Sequence, residues 1–528
     1  FAFGTAAVVT AAAVFVGVGW YEGLLPVPIA AAAAGMPESL LGTQPAPEFP
    51  AGLDWINTGG KPVTIRELKG KVVLLDFWTY GCINCFHVIP DLKRLEAKYP
   101  DSLVIVGVHS AKFATEGKTA HIAAIVQRYG LKHPVVNDHD LEIWNEFGAT
   151  GWPTLTVIDP AGKVVGEVSG EGHYELLDRV IGGLTKEFGA RKELDTRPLW
   201  FEGQQAVMPA TPLLYPGKVL ADAQGKRLFI ADSNHDRIVV TTLDGKVLTV
   251  IGDGKAGLRD GAFAAAEFRY PQGLTLADPD TLYVADTDND ALRRVDLKKG
   301  TVATVAGDGE RTYMDEGEQP AAKAELNTPW DVLYHDGLVY IAMAGQHQLW
   351  VYDPAKQEIR HFAGSGSEGI DDGELMDASF AQPSGLTTDG NTLYVADPEA
   401  SAVRAVDYSG RLARVRTLVG TGLFDFGDVD GSGDAVRLQH DLGVAWYSGR
   451  IYVADTYNGK VKVLDPASRA VTTLLGDATL EEPGGLSAVG GTLYVADTDH
   501  NRIVAVDAKT GVARELKLQD PQKLLGGH

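Results

Sequence analysis

Cysteine is scarce in this chain of 528 residues, which contains only two. That number excludes a scaffold held by several disulfides and a zinc site with four cysteine ligands. Positive charge is also in short supply, because 47 Lys and Arg face 70 Asp and Glu and leave a net charge of −23. Such a surface repels phosphate backbones, so no nucleic-acid partner is expected. The 45% of hydrophobic and 22% of charged residues exclude wholesale disorder, and the length predicts more than one domain.

Charge is missing altogether from Phe1 to Tyr21, a run rich in Ala, Val and Phe. The run just reaches the roughly 20 residues that span a bilayer, and Trp20 and Tyr21 at its end suit the membrane–water interface. We therefore expect a transmembrane anchor over residues 1–24, followed by a Pro- and Ala-rich linker over residues 25–50. A signal-peptide core and a buried helix of a soluble protein are the alternatives.

Residues 51–190 alternate between continuous apolar runs, typical of buried strands, and segments with helical spacing of apolar residues. This alternation predicts an α/β layer fold. Strands are predicted at 71–78, 103–108, 154–158 and 163–168, and helices at 82–99, 119–129, 141–147 and 173–188.

The only two cysteines, Cys82 and Cys85, stand three residues apart where a predicted strand meets a predicted helix. The amides and dipole of a helix N-terminus stabilise a thiolate, and a second thiol one turn on can attack the mixed disulfide that the first has formed. The spacing therefore predicts Cys82 as the nucleophile and Cys85 as the resolving thiol of a redox-active disulfide. A metal site that includes His87 and a pair of inert buried thiols are the alternatives. Haem attachment is excluded, because Phe86 follows Cys85 where a histidine would be needed.

Further positions give this region a resemblance to thioredoxin-fold proteins. Asp76 lies six residues before Cys82 within Asp-Phe-Trp, Pro90 follows Cys85 by five residues, and Trp152-Pro153 stands in the string FGATGWPTL. The resemblance implies that Asp76 assists proton transfer at Cys85 and that Pro153 is a cis-proline opposite the cysteines. It also implies a substrate groove lined by Trp78, Trp152 and Pro153.

Two features of the sequence differ from those of plain thioredoxin. The residues between the cysteines are Ile83-Asn84 rather than Gly-Pro, which leaves the reduction potential open. Extra residues at roughly 110–148 resemble the membrane-anchored oxidoreductases of the TlpA/ResA type and the extracytoplasmic domain of DipZ.

Six related segments recur between residues 215 and 520, each with a hydrophobic strand pattern that ends near Asp or Met. These end positions are Asp232, Asp286, Met343, Asp397, Asp455 and Asp497. Four short strands per unit, six times over, predict a six-bladed β-propeller over residues 215–520, joined to the first domain by a linker over residues 191–214. The segments resemble NHL repeats. Together the two domains resemble the NHL-repeat-containing protein 2 family, in a bacterial member.

The recurring aspartates are interpreted as structural, because an aspartate before a tight turn accepts backbone N–H groups. Acidic residues also concentrate in loops between repeats. The run Asp428-Val-Asp430-Gly-Ser-Gly-Asp434 has acids at calcium-loop spacing but lacks the terminal bidentate glutamate of an EF-hand. These three acids are a weak candidate for a metal site, and no metal or other cofactor is otherwise expected.

The features together predict a membrane-anchored thiol–disulfide oxidoreductase that acts on protein disulfides, with the propeller as the partner-docking module. A redox-active pair beyond an N-terminal anchor suggests the periplasmic side of a bacterial cytoplasmic membrane. The alternative is an accessory or scaffold subunit of a membrane protein complex, in which the first domain is mainly structural. A propeller enzyme such as a lactonase is a third hypothesis, and it would need metal ligands that converge on the central channel.

Overall fold

The computed structural model describes residues 40–199, 201, 208–311, 317–408, 413–476 and 479–525. The predicted membrane anchor at residues 1–24 and the first part of the predicted linker lie outside these residues. Within the described ranges, no helix is both long enough and apolar enough to cross a membrane.

The first domain is built on one mixed sheet of seven strands. They are β1 Gln44–Pro45, β2 Trp55–Ile56, β3 Val72–Trp78, β4 Leu103–His109, β5 Val135–Asn137, β6 Thr154–Ile158 and β7 Lys163–Ser169. The sheet order is β1-β7-β6-β3-β4-β5-β2, in which β3, β4 and β5 run parallel and the other neighbours pair antiparallel. The helices are Ile83–Lys98, Thr119–Arg128, Glu142–Phe147 and Tyr174–Arg191, with a 3₁₀ turn at Ala114–Gly117.

Strand β3 is central because every one of its residues is buried. Its alternating side chains feed two hydrophobic layers, Val73, Leu75 and Phe77 on one face and Val72 and Leu74 on the other. The predicted α/β layer fold is therefore confirmed, and each predicted strand and helix is present with ends shifted by at most three residues.

The edges of this domain differ from the sequence expectation. Gln44 and Pro45, expected to lie in a linker, pair with Val164 and Lys163, and Phe49 is buried in the core. The proline-rich composition hid a two-residue edge strand, in which proline is tolerated. Strand β5 was not predicted either, because three residues are too short for a periodic signal.

The second domain consists of six antiparallel sheets, one per repeat, which confirms the six-bladed propeller. Blade 1 contains Val219–Asp222, Arg227–Asp232, Arg237–Thr242 and Val247–Ile251; blade 2 Gly261–Ala262, Pro271–Asp278, Thr281–Asp286, Ala291–Asp296 and Thr301–Ala306; blade 3 Gln319–Pro320, Pro329–His335, Leu338–Met343, Gln348–Asp353 and Glu358–Ala363. Blade 4 contains Gly373–Glu374, Gly385–Thr388, Thr392–Asp397, Ala402–Asp407 and Arg414–Val419; blade 5 Gly431–Ser432, Gly443–Tyr447, Arg450–Asp455, Lys460–Asp465 and Ala470–Leu475; blade 6 Pro483–Val489, Thr492–Asp497, Arg502–Asp507 and Ala513–Glu515.

The C-terminal segment closes the ring of blades. Gln519 bridges to Lys246 beside the outer strand of blade 1, and Arg237 Nη1 donates to the carbonyl of Leu524, 2.9 Å away. Leu524 lies in a short helix, Gln522–Leu525, and is buried in the core between the first and last blades. The tail therefore completes a blade junction.

The recurring aspartates are structural, as interpreted from the sequence. In blade 4, one oxygen of Asp397 accepts the backbone N–H of Ala381 at 2.6 Å, and the other contacts Arg404 Nη1 at 3.0 Å. Asp232, Asp286, Asp455 and Asp497 repeat this pattern with their own backbone donors and with Arg or Lys partners. Blade 3 carries Met343 instead, and there Trp350 Nε1 donates to Gln348 Oε1.

Candidate functional site

The two cysteines lie where β3 ends and the helix Ile83–Lys98 begins. Cys82 is the N-cap of this helix, and its Sγ accepts the backbone N–H of Cys85 at 3.3 Å. Both are free thiols, with their Sγ atoms 2.7 Å apart. A sulfur at a helix N-terminus lies in the positive end of the helix dipole, which favours its anionic form.

Cys85 lies one turn deeper and is only 2% exposed. Burial raises the pKa of its thiol well above the usual value, and the hydrogen bond to Cys82 adds to the effect. Cys85 therefore keeps its proton until a base removes it. This arrangement supports the assignment of Cys82 as nucleophile and Cys85 as resolving thiol, which stays a prediction.

Asp76 is the buried acid behind the cysteines. Burial raises the pKa of its carboxyl to about 7, while the charge of His133 acts in the opposite direction. The Asp76 charge in turn contributes to the raised pKa of Cys85, so the two groups interact electrostatically. A carboxyl with a pKa near 7 can both accept and return a proton at physiological pH.

The predicted groove residues divide into two groups. The Trp152–Pro153 peptide is cis, as the resemblance implied, and half-buried Trp152 packs against the hydrophobic cluster that contains both cysteines. Trp78 does not line an open groove, contrary to expectation, because it is only 2% exposed and packs edge-on against His109. It follows Asp76 by two residues on β3, so its ring points into the same layer beneath the helix. Pro90 lies inside the helix, as expected.

The propeller covers the cysteines, an arrangement that the sequence did not predict. Cys82 is 7% exposed, and the adjacent Ile83 N–H donates to Gln382 Oε1 of the propeller at 2.9 Å. The rings of Tyr80 and Tyr457, one from each domain, lie 5.4 Å apart. The candidate site is therefore an interface between the two domains.

Six propeller residues at equivalent positions form this interface, and we call them the rim residues. Each precedes the first inner-strand motif of its blade and has a left-handed backbone with φ between 46° and 63°. They are Tyr215, Tyr270, Thr328, Gln382, His440 and Glu482. This conformation is unfavourable for side chains other than glycine, and most of all for the β-branched Thr328.

All six rim residues contact the first domain. The contacts join Tyr215 and Tyr270 to Arg128, Thr328 to His87, Gln382 to Ile83, His440 to Phe113, and Glu482 to His121. The sequence contained one signal for them, since each stands directly before a proline except in blade 5. Their left-handed backbone could not be inferred from the residue types.

Glu116, from the insertion at 110–148, holds the loop that leads to Cys82. Its fully buried carboxylate accepts hydrogen bonds from Thr79 Oγ1 at 2.6 Å, Gly81 N at 2.9 Å and Phe113 N at 2.9 Å. Sequence reasoning missed this residue, because a lone glutamate in an insertion gives no signal.

A buried ion pair between Lys112 and Glu399 joins the two domains beside this loop. The side chains are 5% and 3% exposed, and His440 Nδ1 lies 3.3 Å from the same glutamate. Burial by itself would raise the pKa of Glu399, but its contacts with Lys112 and His440 outweigh burial and hold the value at about 2. The interface therefore contains charges that are stable only while they remain paired.

A cavity of about 60 Å³ lies between the domains next to the cysteine loop. Its lining includes Tyr80, Ile83 and Phe86 of the first domain and Tyr270, Gln382 and Tyr457 of the propeller. A space of this size holds a few water molecules but no peptide segment.

The weak metal candidates lie on the propeller and have cationic partners. Asp428 and Asp430 contact Lys462 Nζ at 2.7 and 2.9 Å, and Asp434 contacts Arg469 at 2.6 Å. Across the described parts of the chain, no group of three or more His, Cys, Asp or Glu side chains is arranged to hold a metal ion.

Asp441 lies beside the rim and breaks the repeat. The other five blades carry proline at this position, namely Pro216, Pro271, Pro329, Pro383 and Pro483. The Asp441 carboxyl is fully buried, and neither oxygen has a hydrogen-bond partner among the described residues. Burial raises its pKa well above the usual value, and the charges of Asp455 and Asp397 add to the increase.

We expect Asp441→Asn to stabilise the protein at alkaline but not at acidic pH. Because the pKa of Asp441 is raised in the folded state, its protonated carboxyl stabilises the folded protein at pH values below the ordinary aspartate pKa of about 3.9. This contribution is lost as pH rises from there towards the raised pKa of the folded state. The neutral amide removes that loss, so the free energy of unfolding should increase by about 1–3 kcal/mol at pH 8 and hardly change at pH 4. Urea denaturation at both pH values measures the difference. Asp434→Asn, at a carboxylate that is 77% exposed, is the control, and an equal gain at pH 4 would contradict the expectation.

Comparison with known proteins identifies a matching family model and sequence relatives of this chain. A thioredoxin-like family model matches residues 70–164. The chain is 44% identical to protein SUPPRESSOR OF QUENCHING 1 of Arabidopsis thaliana over 89% of its own length, and 39% identical to NHL repeat-containing protein 2 of Gallus gallus over 90%. It covers 46% of the plant protein and 72% of the chicken protein. Its first domain is also 34% identical to protein DipZ of Mycobacterium bovis, over 27% of this chain and 21% of that protein.

Proposed function

Because the chain belongs to the family of NHL repeat-containing protein 2, with a thioredoxin-like domain and a six-bladed propeller, we propose that it is a thiol–disulfide oxidoreductase acting on protein disulfides. The chain spans about half of its plant relative, so the proposal concerns these two domains alone. One observation carries it: the only two cysteines lie with their sulfurs 2.7 Å apart at a helix N-terminus, in front of a buried acid.

In the proposed reaction, the Cys82 thiolate attacks one sulfur of a protein disulfide and releases the other as a thiolate, which takes up a proton. Cys85 then gives its proton to Asp76 and attacks Cys82 Sγ. The second substrate thiolate leaves and is protonated, and a Cys82–Cys85 disulfide forms. The substrate gains two electrons and the cysteine pair loses two. Oxidation of a substrate dithiol is the same sequence in reverse.

The propeller is proposed to control access to the cysteines and to select the partner. The cavity between the domains beside the cysteine loop is too small for a polypeptide, so a protein disulfide reaches Cys82 only when the domains separate. Separation exposes the rim residues together with the cysteines, and this places six side chains of five kinds beside the reacting bond.

We further propose that residues 1–24 tether the protein to a membrane with both domains on the extracytoplasmic side. This rests on the uncharged run from Phe1 to Tyr21 and on the redox compartment in which a cysteine pair of this kind can cycle. The assignment to the periplasmic face of a bacterial membrane stays a prediction.

A scaffold function in a membrane protein complex is the second candidate, and burial of the cysteines favours it. A pair that is 7% and 2% exposed could be a packed element of an interface that never opens. The two candidates differ in whether the pair exchanges with external thiols.

A redox titration tests the proposal. The protein is equilibrated in dithiothreitol or glutathione buffers of graded potential, and its remaining thiols are alkylated and counted by mass spectrometry. We expect both thiols to be lost together with one two-electron midpoint, where a value below about −220 mV marks a reductant and one near −120 mV an oxidant. Cys85→Ser is the control and should form no intramolecular disulfide. If the wild-type pair forms no disulfide at any potential, the redox function is wrong and the scaffold remains.

A further inference from the structure

The layer beneath the cysteine helix contains polar atoms that lack partners. Asp76 and Trp78 lie on β3, and their register partners on the parallel strand β4 are Gly107 and His109. Among the described residues, Asp76 Oδ1, Trp78 Nε1 and both ring nitrogens of His109 are buried without a hydrogen-bond partner. Buried polar groups are nearly always satisfied, so a row of this kind calls for an explanation.

The glycine opposite Asp76 leaves room for a side chain from elsewhere. A Cβ atom at Gly107 would lie 3.0 Å from Trp78 Nε1 and 3.6 Å from Nε2 of His133. His133 therefore reaches over the strand position that directly faces Asp76, and its Nε2 is another buried atom without a partner among the described residues. A Cβ atom at Gly107 would press first on Trp78 and Val135, while its contact with the imidazole would be an ordinary van der Waals one.

Hydrogen bonds to the backbone around His133 fix the position of this residue. Asn57 Nδ2 donates to the carbonyls of Leu131 and His133 at 2.9 Å each, and Gly107 N donates to the carbonyl of Pro134 at 2.9 Å. The side chain is only 3% exposed, so its position is determined by packing.

The other side of the imidazole leads out of the protein. His133 Nδ1 lies 3.1 Å from Glu96 Oε1, and the Glu96 side chain is 31% exposed. Both residues line an open cleft of about 600 Å³, together with Lys71, Lys93 and Lys132, whose amines are the other charged groups on this side. The imidazole thus lies between a buried acid and solvent-accessible groups.

From this geometry we propose that His133 relays protons between Asp76 and solvent, with Glu96 as the outer group. The inference rests on the proposed oxidoreductase function and assigns to His133 a role in proton transfer that the Cys82–Cys85 motif does not reveal. When Cys85 attacks Cys82 Sγ, its proton passes to Asp76. As Cys85 loses its proton, His133 Nε2 takes the proton from Asp76 through one intervening water, since the two groups are not in direct hydrogen-bond contact. His133 Nδ1 gives one up towards Glu96 in the same step, so that Asp76 stays ionised and can deprotonate Cys85. No electrons move in the relay, and the oxidant is the substrate disulfide.

The test follows the two chemical steps separately with 5,5′-dithiobis(2-nitrobenzoate) as the disulfide. Attack by Cys82 releases one equivalent of the coloured thiolate, and resolution by Cys85 releases a second, so stopped-flow absorbance reports both phases. We expect His133→Gln to leave the first phase unchanged and to slow the second about tenfold at pH 7. This is less than the roughly 10²- to 10⁴-fold of a group that itself takes the reacting proton, because Asp76, which takes the proton of Cys85, is retained. The dependence of the second phase on pH should change, and imidazole in the buffer should restore the rate of His133→Ala.

Two further variants keep the outcome decisive. His139→Gln, at an exposed histidine of the same domain, should leave both phases unchanged. Glu96→Gln, at a partly exposed side chain, should slow the second phase alone, and it decides the question if the His133 variants fail to fold. A second phase that matches wild type in Glu96→Gln and His133→Gln, or a loss that is equal at every pH and insensitive to imidazole, would overturn the relay. If wild type itself releases fewer than two equivalents, the oxidoreductase function fails and the relay fails with it, whereas two equivalents from wild type with unaffected variants overturn the relay alone.

Discussion

Cys82→Ser should reduce dithiol exchange with a model protein disulfide to the uncatalysed background, while Cys85→Ser should accumulate a mixed disulfide. In the proposed reaction Cys82 Sγ, which is the N-cap sulfur, forms the first covalent bond, and the only other cysteine, Cys85, acts in the second step. Cys85 acts only in the second step, and without it the intermediate has no internal nucleophile. Turnover of the disulfide in the presence of dithiothreitol measures the first effect, and mass spectrometry of the trapped adduct measures the second.

Serine is nearly the same size as cysteine, so both variants should melt close to the wild-type temperature and serve as controls for each other. Retention of wild-type turnover by Cys82→Ser would contradict the proposed function. Accumulation of a mixed disulfide in Cys82→Ser rather than in Cys85→Ser would show that the order of the two thiols is reversed.

Lys112→Ala should loosen the cover over Cys82. The substitution leaves Glu399 buried beside the loop without its main partner, and breaking a buried ion pair from one side typically costs about 3–5 kcal/mol. Because the pair joins the two domains, much of this cost should be relieved by their separation. Each 1.4 kcal/mol is tenfold in an equilibrium, so the reaction of Cys82 with N-ethylmaleimide should accelerate by about a hundredfold. Timed quenching and mass spectrometry give the rate.

The matched control is Lys98→Ala, which breaks an ion pair with Asp178 on the outside of the same domain. That lysine is 49% exposed, and the loss of such a pair should leave the alkylation rate unchanged. The double substitution Lys112→Met with Glu399→Leu removes both charges and should react more slowly than Lys112→Ala. If Lys112→Ala reacted at the wild-type rate, the propeller would not control access to the sulfur.

Most of the fold could be predicted because its signals are local. The strand Thr154–Ile158 was predicted with its observed ends, since a short apolar run between a proline and a turn has one favourable conformation. The six blades followed from repetition alone, and the cysteines were identified by their number and spacing. Strand β5, with three residues, offered no period to detect, and the prolines around Gln44 concealed an edge strand.

The cover over the site could not be predicted because its determinants are distant in the chain. Lys112 and Glu399 are 287 residues apart, and nothing in either neighbourhood marks the partner. The groove assignment of Trp78 failed for a related reason, since a hydrophobic strand predicts burial but not which neighbour provides it. The proposed role of His133 could not be predicted from the sequence, because it depends on the strand register that pairs Gly107 with Asp76.

The rim residues also solve a problem of symmetry. A disk of six similar blades offers a docking domain six nearly equivalent rotational settings, 60° apart, and a backbone-only surface would not distinguish them. Two tyrosines, a threonine, a glutamine, a histidine and a glutamate at equivalent positions make each setting different. Rotation by one blade would set Glu482 or Tyr270 against a group matched to its neighbour, at the cost of unpaired charges and steric conflict. The order of these five kinds of side chain around the ring therefore defines a single orientation on a scaffold that is almost symmetric.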